Sequence, residues 1–86
     1  MKPHDVILYP LMTERSVNMI ENENKLVFIV NRNANKHDVA AAVRALYGVQ
    51  TESVRTLITR EGTKKAFVRL KEGEDASDLA IRLGIL

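Results

Sequence analysis

The sequence predicts an α+β fold, a sheet of four strands with helices packed on it. Three observations predict it. Short apolar, β-branched runs alternate with stretches whose apolar residues recur at helical spacing, in the order strand, helix, strand, helix, strand, strand, helix. The last two strands are separated only by Arg60-Glu61-Gly62-Thr63, a tight-turn composition that makes them an antiparallel hairpin. No internal repeat, low-complexity tract or Gly/Pro-rich linker divides the 86 residues, so residues 1–86 read as one domain.

The elements follow in order. Asp5 to Tyr9 is apolar with β-branched members and is closed by Pro10, which reads as a first strand. Thr13 caps a helix through Val17 and Ile20, with Glu14 at its positive end, and Glu21 to Asn24 is a polar turn. Lys25 to Val30 lacks clean alternation, as expected of a central strand covered on both faces. Asn31 to Asn35 is a loop whose last residue caps a helix running through Tyr47. Its core stripe is Val39, Ala42, Val43 and Leu46, and Gly48 takes a left-handed conformation at its end. A strand from about Val54 to Thr59 follows, so that Lys25 to Thr59 forms one crossover, for which the usual hand is right-handed. Lys64 to Lys71 returns antiparallel. Asp75 then caps a last helix with Ala76, Leu79, Ala80 and Leu83 on its apolar face, and Gly84 stops it.

Composition removes several function classes. The absence of cysteine excludes disulfides and thiolate metal sites. The longest apolar run, Leu26 to Val30, is far too short to cross a bilayer, and the N-terminus lacks a signal-peptide layout, so a soluble cytoplasmic protein is expected. His4 and His37 stand alone and no Gly-rich phosphate loop exists. The cluster Glu72, Glu74, Asp75 and Asp78 reads as a turn and a helix start without calcium-loop spacing. These features argue against an enzyme and call for no cofactor.

The charge distribution is more telling than the net charge of +2. Residues 1–52 carry six basic and six acidic side chains. Residues 53–71 carry six basic and one acidic, Glu61, and residues 72–86 one basic and four acidic. The final hairpin strand gathers this excess. Side chains alternate along a strand, so Ala66, Val68 and Leu70 share one face and Lys65, Phe67, Arg69 and Lys71 the other. If Val54, Thr56 and Ile58 pack inward, Arg55 and Thr59 join the cationic face. Cations so close repel one another unless anions neutralise them, and the ring among them can meet a sugar or a base. The face therefore predicts nucleic-acid binding. The alternatives are a solvated surface, or Phe67 packed beneath a helix with lysine stems over it. Lys36 and His37 open a helix, where free N–H groups favour a phosphate or simply mark ordinary first-turn polarity. Arg15, beside the Thr13 cap, carries the same two readings.

Together these segments resemble a known family. The run Lys64-Lys65-Ala66-Phe67-Val68-Arg69-Leu70-Lys71, then seven residues and Leu79, resembles the signature of the large-subunit ribosomal protein number twenty-three family. Val6 to Arg15 resembles its entry motif, and Ala34-Asn35-Lys36 leading into Val39, Val43, Tyr47 and Val49 its middle helix. The resemblance implies an antiparallel sheet flanked by helices. It implies binding to large-subunit ribosomal RNA beside the exit of the nascent-peptide tunnel, among neighbouring ribosomal proteins, with a surface for factors such as signal recognition particle. Thr13, Arg15, Lys36, Lys64 and Lys65 match motif positions and are the RNA contacts it implies. Arg55, Arg60, Phe67 and Arg69 rest on the surface argument above. The minimal turn from Arg60 to Thr63 and the lack of an extended basic N-terminus resemble the short archaeal type rather than the bacterial type, whose longer basic loop reaches into the tunnel. The competing readings are a small α+β protein-interaction or regulatory module without RNA, and a small phosphate-ester or acyl-phosphate hydrolase.

Overall fold

A computed structural model describes residues 1–86. The elements are α1 (Pro3–Val6), β1 (Ile7–Pro10), α2 (Glu14–Glu23), β2 (Lys25–Val30), α3 (Lys36–Tyr47), β3 (Thr51–Ile58), β4 (Lys64–Leu70) and α4 (Ala76–Arg82). The four strands form one antiparallel sheet in the order β1-β2-β4-β3. β4 pairs antiparallel with both β2 and β3, so those two run parallel with β4 between them, joined by α3 as the expected crossover.

One face of the sheet makes the core. Leu26, Phe28 and Val30 of β2 and Ala66, Val68 and Leu70 of β4 are buried there with Val39, Ala42 and Val43 of α3 and Ala76, Leu79 and Ala80 of α4. Ile20 of α2 and Val6 of α1 complete the cluster. Each Val, Leu, Ile or Phe side chain so buried contributes about 1.5–3 kcal/mol against remaining in water, and each Ala less. The helix starts are set locally. Thr13 and Asn35 each accept from the backbone N–H three residues on, with Ser16 and Asp38 returning a bond to the cap N–H. Asp75 accepts from Ser77 and Asp78 N–H groups. Gly48, at φ 72°, ends α3 as expected.

The structure corrects five local expectations. Asp5 and Val6 lie in the single turn of α1, not in a strand, because Pro3 at its first position has a helical φ already fixed. Pro10 belongs to β1, where an edge strand tolerates its missing donor. α2 continues through Glu23, so only Asn24, left-handed at φ 55°, is the turn residue. β3 begins at Thr51 and ends before Thr59. Its polar first residues hid it, since both the strand and its edge are exposed, and Thr56 and Ile58 are exposed where only Val54 reaches the core. Leu46 is exposed, and Tyr47 takes the expected core position one turn beyond Val43, stacked on Phe28 at 6.0 Å between ring centroids.

Candidate nucleic-acid interface

The strand register fixes what the open face of the sheet displays. Phe67 lies opposite Val27 on β2 and Arg55 on β3. Lys65 lies opposite Ile29 and Leu57, and Arg69 opposite Lys25 and Ser53. Directly opposed side chains on one face have Cβ atoms about 4.5–5.5 Å apart. Val27 and Ile29 of β2 are buried on this face, β4 adds the cations Lys65 and Arg69, and the outer strand β3 is exposed and adds Arg55.

A groove of about 420 Å³ crosses this face. Arg55, Leu57, Lys65 and Phe67 of the hairpin, Val27 and Lys25 of β2, and Thr13, Arg15, Ser16 and Met19 at the start of α2 line it. Five predicted residues, Thr13, Arg15, Arg55, Lys65 and Phe67, thus meet around one cavity although they come from three separate segments. α2 is held there by Ser16, a buried polar side chain with every bond made. Its hydroxyl donates to the Leu11 carbonyl at 2.8 Å and accepts from the Thr13 N–H at 2.8 Å. Thr13 spends its hydroxyl oxygen on the Ser16 N–H at 3.1 Å, so it positions α2 and with it Arg15.

The groove is electrostatically unsatisfied. The protein has two ion pairs, His4–Asp5 and Lys25–Glu23. Lys25, opposite Arg69, is therefore partly neutralised by Glu23 at 3.2 Å. Arg15, Arg55 and Lys65 have no carboxylate within 4.0 Å.

The remaining predicted residues lie elsewhere. Lys64 points away from Lys65, as alternation along β4 demands, and its Nζ donates to the Ala34 carbonyl at 2.6 Å. It is half-buried and ties the hairpin to the loop before α3. Lys36 and His37 line a separate shallow cleft with Thr51 to Val54. Arg60 is exposed in the hairpin turn. Beside it Glu61 has its carboxyl held below the usual range by its own backbone N–H, then by the Thr59 hydroxyl, with Lys65 adding to the effect. Arg69 is on the cationic face but borders a cleft shared with Glu52 and Glu72. Lys71, expected on that face, follows the end of β4 and lines a cleft with Ala40, Ala41 and Arg44 of α3 instead.

Sequence reasoning missed Lys25, Val27 and Leu57. Their parity along β2 and β3 carries the signal, but only once the register to β4 is known. It also missed one task in the acidic cluster, where the Glu74 carboxylate accepts from the Gln50 N–H at 2.6 Å; Asp75 caps α4 as expected. No group of His, Cys, Asp and Glu is placed to hold a metal ion, and no helix is long and apolar enough to cross a membrane.

Comparison with known proteins fits this geometry. The family model described as Ribosomal protein L23 matches residues 5–77. A relative named large ribosomal subunit protein uL23, from Methanococcus aeolicus, is 45% identical over 85 residues, which cover 99% of each chain. An archaeal relative of equal length accords with the short type that the sequence resembles. The chain belongs to the ribosomal protein L23 family: it is a structural protein of the large ribosomal subunit, at work in the cytoplasm on the ribosome, and not an enzyme.

Proposed function

We propose that the protein, as one folded unit over residues 1–86, holds large-subunit ribosomal RNA through the open face of its sheet. One observation carries this reading: Arg15, Arg55 and Lys65 converge on a single groove with no carboxylate within 4.0 Å of them. Counter-charge must come from outside, and closely spaced phosphates supply it. The sheet does no chemistry. Its backbone fixes the spacing of the cations, and ordering them in advance lowers the cost of binding. Arg60 and Lys64 extend the contact beyond the groove at the hairpin end, Lys36 at the start of α3, and Arg69 along β4.

Binding of purified protein to large-subunit ribosomal RNA tests the reading. Four to six phosphate contacts give a slope of log affinity against log salt of roughly −3 to −5. Binding that ignores salt, or no binding, overturns it.

The same reading sets the protein beside the peptide exit, against neighbouring ribosomal proteins, with its acidic end open to nascent-chain factors such as signal recognition particle. The family resemblance supports the location, and charge supports the orientation. Glu72 and Asp78 are exposed, and phosphate would repel them. The short turn from Arg60 to Thr63 offers no segment long enough to line the tunnel. Crosslinking from residues 72–78 on intact large subunits should reach targeting factors. Crosslinks chiefly to ribosomal RNA would overturn the orientation, and protection by neighbouring ribosomal proteins alone would overturn the docking role.

A further inference from the structure

The groove is more than a cationic surface, because an aromatic ring, Phe67, is part of its lining. Phe67 is half-buried and lies outside the core cluster. It sits between the Val27 side chain, which is buried, and Arg55, which is exposed. The aromatic stack in the protein is Phe28 on Tyr47, on the other side of the sheet, and no cation is laid over the Phe67 ring. Phe67 lines the groove together with Met19, Arg15, Arg55 and Lys65. The groove volume of about 420 Å³ lies within the range of roughly 300–1,000 Å³ typical of sites that enclose a small ligand.

We propose that this groove takes one unpaired nucleotide of the bound RNA, its base stacked on Phe67 and its flanking phosphates held by Arg15, Arg55 and Lys65. The inference rests on the RNA-binding reading above and deepens it. Inside an A-form helix each base face is covered by the next base, so a paired stem presents nothing to the ring. An extruded base presents a full π-face, and any of the four bases can use it. The three cations ring the same cavity, so the phosphates on either side of an extruded nucleotide fall where counter-charge is missing.

The test compares two hairpin RNAs of equal paired length, one with a single bulged 5-iodouridine and one without a bulge, against the full chain. The bulged RNA should bind roughly 5- to 150-fold more tightly, the range of one base–aromatic stack. Irradiation should crosslink the iodouridine to Phe67. Phe67→Leu should abolish the preference for the bulged RNA over the plain stem, and Phe67→Tyr should retain it. Equal binding of both RNAs, or a crosslink to Tyr9 in place of Phe67, overturns the stacking site while leaving salt-dependent RNA binding intact. Failure to bind either hairpin or ribosomal RNA overturns the underlying reading instead.

Discussion

Lys64 and Lys65 are neighbours in the chain and belong to opposite faces of β4. Lys64 reaches the Ala34 carbonyl, and Lys65 lines the groove. Lys64→Ala should cost about 1.5–3 kcal/mol of stability, the usual worth of a hydrogen bond from a charged group. Lys65→Ala should cost within about 0.5 kcal/mol and lower RNA affinity. Urea unfolding of the two variants separates them, and equal costs would show that the bond to Ala34 contributes nothing. The sequence makes the doublet look like one basic feature, and alternation already divides it; what only the tertiary structure supplies is the carbonyl that Lys64 finds. Tyr47 gives a second test at this scale. Burial pushes its phenol above the usual value. The folded state thus holds the proton more tightly, so this contribution is present below about pH 10 and is lost as pH rises through the folded value. Tyr47→Phe should flatten the alkaline fall in stability, as followed by urea midpoints against pH.

At the scale of elements, Asn24 joins three of them. It ends α2 in a left-handed conformation, its Nδ2 donates to the Glu74 carbonyl at 3.0 Å, and its Oδ1 accepts from the Ala76 N–H at 2.8 Å. The end of α2, the start of β2 and the start of α4 are therefore fixed by one side chain. Asn24→Ala should cost about 2–4 kcal/mol, from the strained backbone and the unpaired buried N–H together. Asn24→Gly should recover about 1 kcal/mol of that, the backbone share alone. Equal losses in urea unfolding would show that the left-handed backbone at Asn24 stores no strain. The Glu21–Asn24 segment reads as a turn in the sequence because the exposed last turn of α2 has no apolar residue to mark it. Central elements were legible for the converse reason. β2 and the buried face of β4 answer to burial alone, and the caps at Thr13, Asn35 and Asp75 are local chemistry. Edge elements such as β1 and β3 have no such constraint, and their bounds moved.

Across the whole molecule, charge is sorted along the strands. Arg32, whose guanidinium lies near Gly62, joins Arg60 and Lys64 at the hairpin end, with Glu61 as the one carboxylate in the turn. Glu23, Glu52, Glu72, Glu74 and Asp75 gather at the other, where β2 begins and β4 ends. The excess of cations in residues 53–71 was visible in the sequence. That Arg15 joins them was not, because the docking of α2 beside the sheet depends on Ser16 and Ile20, far from the hairpin in the chain. Nor was the diversion of Lys71 to the α3 side, since alternation ends with the strand.

The open face of the sheet, and not positive charge in general, is proposed to hold the RNA. Salt-dependent affinity for large-subunit ribosomal RNA tests it most directly when two double variants are compared. Arg55→Ala with Lys65→Ala removes two charges from the groove, and Arg44→Ala with Lys71→Ala removes two from the cleft on α3. The groove variant should bind more weakly, with its salt slope shallower by about 1.4–1.8, and the α3 variant should match the parent protein. Equal losses in both, or a loss confined to the α3 variant, would contradict the claim.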